Sequence, residues 1–437
     1  MTRPLAGALA LLALLATAAG ADGSRHVVIV SIDGLRPEFY LDPAFPAPAL
    51  RDLVARGAHA RTVETVFPSV TYPGHASIAT GVRPARHGVA FNNLFLPGGG
   101  RGRWYEEAAD LRTPPLWDWA RAAGLRTAAV SWPSTLGAKV DLLVPERAYY
   151  ARREPLDLLR AAVTPGLFAL TRVEPDGGIF RDSTRWDDFL ARTAVGLIRE
   201  ARPRLLLVHL VQTDSVQHRG GRDGADVKPA VRRVDEHVGA IVAALRAAGI
   251  ADRTAVIVVG DHGFDDFTRL VAPNEVLSRA GLRACPTPGP GWRATAHVAG
   301  GAAAVFVKPG DDEGRALAES ALRGSASGRY TVLTRAELDG LGAMPGAALG
   351  LEAAPGWSIE GGCGRGLTRG ARGGMHGYLP SRATMATGFI AAGAGIRPAV
   401  AIGRARLIDV APTAARLLGI AAPDVEGRVL AEILREP

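Results

Sequence analysis

Six short, almost continuously apolar runs recur along the chain, and they limit its fold more than any other feature. They are HVVIVSI (residues 26–32), RTAAVS (126–131), LLLVHLV (205–211), AVIVV (255–259), AAAVFV (302–307) and TGFIAA (387–392). A strand with one wet face alternates polar and apolar residues. Runs that are apolar at every position suit parallel strands covered on both faces. Helical periodicity lies between the runs. Residues 229–248 place Val231, Val234, Val238, Ile241, Val242 and Leu245 on one face, and Gly249 closes the segment as a C-cap. Strands alternating with helices predict an α/β fold: a three-layer sandwich with a mostly parallel central sheet, helices on both faces and loop-rich insertions. Residues 146–200 break the rhythm. They read as loop-rich, carry Tyr149, Tyr150, Trp186 and Phe189, and suggest an insertion near the site. Residues 272–300 and 325–374 are Gly/Pro-rich and read as long excursions, and 406–420 as a closing helix.

Composition supports a large core. Hydrophobic residues are 47% and charged residues 22% of 437, which excludes global disorder. Lys+Arg 51 against Asp+Glu 43 gives +8, but the excess is diffuse and mostly Arg, so no nucleic-acid partner is expected. Two cysteines exclude a disulfide-dense scaffold and a four-Cys zinc site. Arg3, an apolar run from Leu5 to Ala19, and the small residues Ala18, Ala19, Gly20 and Ala21 form the pattern of a secretory leader. Residues 1–21 are therefore expected to be a signal peptide, and 22–437 one domain, periplasmic or secreted, with no membrane span after cleavage. Cys285 and Cys363 then either pair or remain two buried thiols, and spacing does not choose between them.

In open parallel sheets, sites form beyond the carboxyl ends of the strands. The first run enters Asp33-Gly34, and the 205–211 run enters Asp214, with His218 four residues on. The 255–259 run enters Asp261-His262-Gly263, and a Gly-flanked histidine, His376, sits in GGMHG. One such Asp is usually a helix cap, and one such His a hydrogen-bonded core residue. Four separate hits together suggest a cation site. Mixed His/Asp ligation suits zinc, with manganese or iron next. The stretch FPSVTYPGH places Thr71 just before Pro73 at a helix amino terminus, where an anion is favoured. Thr71 either caps that helix or acts as a nucleophile activated by a metal. Ser69 is the competing hydroxyl, and His75 reads as structural.

The ordered blocks SIDGLRPE (31–38), the Thr71 block, Thr80-Gly81, His87-Gly88, Asn92-Asn93, Asp214 with His218, Asp261-His262-Gly263 and Met375-His376-Gly377 resemble the nucleotide pyrophosphatase/phosphodiesterase family of the alkaline phosphatase superfamily. The resemblance spans about residues 25–430 and implies two Zn2+ ions. Asp214, His218 and His376 would hold one. Asp33, Asp261 and His262 would hold the other, with Thr71 beside it as the nucleophile that forms a phosphothreonine. It further implies that Asn92 donates to a non-bridging phosphate oxygen, with the Tyr72 N–H as a second donor. Tyr72 would present its ring to the substrate, and Trp132-Pro133-Ser134 would lie near the substrate end. His209 stands where the family often has Tyr, half of a nucleobase clamp. Tyr149, Tyr150 or Trp186 could replace it, although packing is the simpler role for each. The paired basic residues of related monoesterases are missing at the expected distance, Arg152-Arg153 being the nearest pair. The expected substrate is thus a small phosphodiester or nucleotide-like molecule. A phosphomonoesterase or phosphonate hydrolase on the same bimetal scaffold is the alternative. Neither cysteine lies in the sequence setting of a sulfatase.

Overall fold

The computed structural model describes residues 25–97, 102–149, 152–286 and 289–435. The leader reading at 1–21, and Tyr150, lie outside these residues. An eight-stranded sheet forms the centre. Six of its strands come early in the chain: β1 (His26–Ile32), β2 (Ala58–Glu64), β3 (Thr127–Val130), β4 (Leu142–Val144), β5 (Leu205–Leu210) and β6 (Thr254–Val259). Across the sheet the order is Val400–Arg406, β2, Phe389–Gly393, β6, β1, β5, β3, β4. All neighbours are parallel except Phe389–Gly393, which runs antiparallel to β2 and β6.

Alternation along each strand divides the core into two layers. Val28, Val30, Ile32, Leu206, Val208 and Leu210 face one layer, which packs against helices Pro48–Arg56, Ser183–Glu200 and Val227–Ala247. Val27, Ile29, Leu205, Leu207, Ile257 and Val259 face the other, under helices Leu116–Ala122 and Val410–Leu418. β1 is buried at all seven positions, as a doubly covered strand must be. Truncating a residue such as Ile29 to Ala should cost about 2–5 kcal/mol. The expected helix–sheet–helix sandwich is the observed one.

Three expectations change. Residues Ala302–Val307 are a strand, but of a separate four-stranded antiparallel sheet ordered Tyr330–Leu333, Leu349–Ala353, Ala302–Val307, Ala294–Ala299. Only Gly300 and Gly301 separate it from Ala294–Ala299, and a parallel pairing would need a crossover of about a dozen residues. The late strand Phe389–Gly393 is central but reversed, because an all-apolar run carries no direction signal. Residues 146–200 are more helical than read: Ser183–Glu200 is one helix of 18 residues, started by Asp182, whose carboxylate accepts from the Arg185 N–H. A third sheet, Gly356–Ile359, Asp265–Val271 and Thr368–Met375, delivers His376 directly after its last strand. Cys285 and Cys363 form a disulfide, Cα atoms 5.8 Å apart, between the segments read as excursions.

Candidate active site

Strand ends position the acids. β1 exits into Asp33, β6 through Gly260 into Asp261-His262, and β5 into the short helix Gln212–Gly220 that carries Asp214 and His218. Gly34 turns the chain with φ +68°, and its N–H donates to Asp261 Oδ1 at 3.1 Å, joining two strand exits. Helix Thr71–Thr80 packs so close that a Cβ on Gly74 would lie 3.0 Å from the Asp261 Cβ.

All six sequence-derived ligand candidates meet. His262 Nε2 lies 3.3 Å from Asp33 Oδ1 and 3.2 Å from Asp261 Oδ2. His218 Nε2 and His376 Nε2 lie 3.3 and 3.5 Å from Asp214 Oδ1, and 3.1 Å from each other. The rings of His262 and His376 stack at 3.6 Å, so the two groups adjoin. Two triads have donor atoms close enough for one ion each: Asp33/Asp261/His262, and Asp214/His262/His376. The second shares His262, whereas the reading from sequence had His218 in that place; His218 flanks the triad through both Asp214 and His376.

The imidazoles are oriented alike. The Nδ1 atoms of His218, His262 and His376 reach the carbonyls of Gly374 (3.0 Å), Gly263 (3.2 Å) and Ser69 (2.9 Å). With Nδ1 as the donor, each Nε2 keeps a lone pair for a cation, the arrangement that fixes a metal-binding tautomer. Asp33 Oδ1, Asp214 Oδ1, Asp261 Oδ2 and His262 Nε2 are buried without a hydrogen-bond partner. Burial and the charges of Asp261 and Asp214 push the Asp33 carboxyl well up. Burial pushes Asp261 up to about 8, against the Gly34 N–H and with the Asp214 charge. Burial drives His262 down and His376 down to about 4, neighbouring imidazoles adding to both. Burial opposes the Asp214 carboxylate, but His218 outweighs it and holds the carboxylate down; in return Asp214 lifts His218 despite burial. Crowded buried carboxylates facing lone-pair nitrogens are the donor set that a divalent cation completes.

Thr71 is the first residue of its helix, lines the cavity and does not cap the helix, whose N-cap is Val70. The competing hydroxyl is removed: Ser69 Oγ donates to Tyr378 O at 2.8 Å and lies in the core. His75 is structural, its Nδ1 on Thr71 O at 2.8 Å and its ring between His209 and Trp132. Trp132 is fully buried behind His75, outside the cavity lining. The Tyr72 N–H, expected as an oxyanion donor, donates to Asn92 Oδ1 at 3.0 Å. That bond orients Asn92 and leaves its Nδ2 as its remaining donor. His209 braces the site, Nε2 at 3.2 Å from Asp33 Oδ2 and Nδ1 at 3.1 Å from Ser131 O; burial lowers it to about 4. Arg152 pairs with Glu106 at 3.0 Å, away from any terminal-phosphate role.

A cavity of ≈ 440 Å³ opens from these groups. Tyr72 packs on Trp104 at 5.5 Å and donates its hydroxyl to Glu146. Tyr149, Phe180 and Trp186 cluster at 5.5–5.8 Å and also line the cavity. Sequence reading missed Glu146, although it follows β4 through Pro145 and is one more acid at a strand exit. A strand of three residues was too short to announce it.

A family model, "Type I phosphodiesterase / nucleotide pyrophosphatase", matches residues 27–379. The chain belongs to this family. An uncharacterised pyrophosphatase/phosphodiesterase of Schizosaccharomyces pombe is 29% identical over 245 residues, 54% of this chain and 44% of that protein. Human ectonucleotide pyrophosphatase/phosphodiesterase family member 5 is 23% identical over 284 residues, 62% of this chain and 52% of that one. The chain thus spans about half the length, or less, of the curated relatives it matches. Among solved structures, murine ectonucleotide pyrophosphatase/phosphodiesterase 5 superimposes with a TM-score of 0.70 at 20% identity, covering 94% of this chain and all of that one. An inactive threonine-to-alanine variant of the murine protein, in complex with AMP, gives 0.69 at 19%. The alkaline-phosphatase-like fold is shared.

Proposed function

We propose that this family member is a two-metal phosphoric ester hydrolase that acts on phosphodiesters or nucleotide-like pyrophosphates through a phosphothreonine at Thr71. The observation that carries the reading is the convergence of three carboxylates and three freed Nε2 atoms beside a threonine hydroxyl at a helix amino terminus. The murine neighbour's AMP complex, with a threonine removed to inactivate it, agrees with this reading.

Asp33, Asp261 and His262 would hold one divalent cation, and Asp214, His218 and His376 the other. Zinc, with manganese or iron as alternatives, supplies Lewis-acid chemistry: it lowers a hydroxyl's pKa and offsets charge on a transferring phosphoryl group. Thr71 Oγ gives up its proton to solvent and attacks phosphorus in line. Its bond to phosphorus forms as the bond to the leaving oxygen breaks, and the electron pair departs on that oxygen. Asn92 Nδ2, aimed by its Oδ1 bond to the Tyr72 N–H, donates to a non-bridging oxygen. The Tyr72 and Trp104 rings flank the group that stays on phosphorus. Water then cleaves the phosphothreonine by the reverse geometry, and Thr71 Oγ regains its proton. The mature chain, 22–437 after loss of a leader at 1–21, works in the periplasm or outside the cell. A disulfide suits such an oxidising compartment. Among the described residues, no helix is long and apolar enough to cross a membrane.

The test is turnover by purified, zinc-loaded protein of p-nitrophenyl thymidine monophosphate, bis-p-nitrophenyl phosphate and p-nitrophenyl phosphate, with and without chelator. The two diesters should be preferred, and chelator should abolish turnover. Preference for the monoester would shift the reading to a phosphomonoesterase. No chelator-sensitive turnover of any of the three would overturn it.

A further inference from the structure

A second cavity, of ≈ 730 Å³, shares part of its wall with the same centre. It shares Asn92, Trp104, His218 and His376 with the first, but neither Thr71 nor Asp33. In an in-line displacement the leaving oxygen lies opposite the attacking one. On the mechanism proposed above, which this inference rests on, Thr71 works with the cluster of Asp33, Asp261 and His262 and the leaving oxygen with that of Asp214, His218 and His376, two of which line the second cavity. The group that leaves with that oxygen therefore extends into the second cavity.

That cavity is lined by one buried charge with no counter-charge. Arg283 is 7% exposed, and its Nε has no hydrogen-bond partner. Its Nη1 reaches only Cys363 Sγ at 3.6 Å, and its Nη2 only Pro286 O at 3.4 Å. Among the described residues no carboxylate pairs with it. The neighbouring polar groups are already used: Asn274 is bonded to Ala296 and Gly361, and His297 Nε2 to Asn93 O. A buried unpaired guanidinium is costly, whereas a planar fork beside a phosphate makes strong charge-assisted bonds. The disulfide pins Cys363 beside Arg283, so the guanidinium is held where the cavity needs it.

We propose that the second cavity is the leaving-group subsite, and that Arg283 makes it selective for leaving groups that carry phosphate of their own. The matching substrate class is a nucleoside triphosphate or a similar pyrophosphate. Attack at the α-phosphorus then forms the Thr71 Oγ–P bond and breaks the bond to the bridging oxygen. That oxygen departs with the electron pair as part of pyrophosphate, in contact with Arg283.

Two substrates with the same retained group separate the possibilities. Thymidine triphosphate releases pyrophosphate, and p-nitrophenyl thymidine monophosphate releases a group that is uncharged in the substrate. Arg283→Gln should lower kcat/KM for the triphosphate by about 10- to 100-fold and leave the p-nitrophenyl ester within about two-fold, as loss of one charged hydrogen-bond partner predicts. Equal losses on both substrates, or no loss on either, would overturn the proposal. If Arg283→Gln does not fold, Arg283→Lys serves: it keeps the charge but not the fork, and the triphosphate-to-ester ratio should still fall several-fold. An unchanged ratio would sink the idea. If the parent protein hydrolyses the p-nitrophenyl ester but not the triphosphate, this inference fails alone; if it hydrolyses neither, the hydrolase reading fails.

Discussion

The two carboxylate–imidazole clusters use the same donor types but differ in their access to water. The side chains of Asp33, Asp261 and His262 are 5%, 0% and 0% exposed, whereas those of Asp214 and His218 are 17% and 33% exposed, and His376, at 6%, is the buried member of its cluster. In the closed cluster two carboxyls outnumber one imidazole, and burial drives both acids up. In the open cluster two imidazoles surround one carboxylate and hold it ionised. On the proposed two-metal reading, the closed cluster would draw on a cation for charge balance once its acids ionise, while the open one carries part of that balance itself. On the same reading, identical ligand types would thus yield one site built for retention and one able to exchange.

Thr71→Ala gives the largest expected effect and sharpens that contrast, since the hydroxyl belongs to neither cluster's internal charge balance. Turnover should fall by at least about 10³-fold, as for removal of other nucleophiles. Metal analysis should still find both ions; wild-type rate in this variant would move the nucleophile elsewhere. Next, Asp261→Asn should remove about one ion per chain even in excess zinc. His218→Gln should cost about 10- to 100-fold in activity and be largely rescued by added zinc, the range seen for weakened metal sites. If zinc rescued Asp261→Asn and not His218→Gln, the distinction between closed and open would be broken.

A smaller effect concerns stability without metal. A carboxyl raised in the folded state binds protons more readily there than in the unfolded chain. Its contribution is full below its ordinary pKa near 4 and is lost as pH rises toward about 8. His218, also raised, has the same sign. The buried imidazoles of His75, His209, His262 and His376 are lowered and act oppositely, destabilising the fold as pH falls below about 6.5. Chelated protein should therefore melt at a higher temperature at pH 6.5 than at pH 8.5, and zinc-loaded protein should show a flatter profile. A flat profile for the chelated protein would remove the closed cluster's role in this balance.

The smallest effect lies at the cavity wall. The Glu146 carboxyl is pushed up to about 8 by burial, against the Tyr72 hydroxyl that donates to it and with the Glu106 charge nearby. It is neutral near pH 7 and gains charge above pH 8, where it repels an anionic substrate. Glu146→Gln should flatten the alkaline decline in kcat/KM by about 3- to 10-fold at pH 9, a few kJ/mol of charge repulsion at most. An unaltered profile would detach Glu146 from substrate binding.

The apolar runs disclosed the sheet because a doubly covered strand tolerates few polar residues. The acids after β1, β5 and β6 disclosed the site because strand exits are where open sheets gather chemistry. Three things stayed hidden. Strand direction leaves no trace in an all-apolar run, so Phe389–Gly393 was legible as a strand and not as a reversed one. The choice between Thr71 and Ser69 depended on which hydroxyl the core absorbs, and Ser69 is taken by Tyr378, 309 residues away. Arg283 lacked any local signal, because its meaning comes from having no carboxylate partner among the described residues.

Ser69 also accepts from His376 through its carbonyl, a link across 307 residues. Five of the six candidate ligands lie in the first 262 residues, and the sixth follows only after a further 114 have been made. A nascent or truncated chain ending before Thr368 would hold all three candidate acids with no partner for that carbonyl. On the proposed two-metal reading, uptake of the second ion would then act as a proofreading signal: a chain that binds both would have been synthesised past residue 376 and have threaded its final third back onto the start.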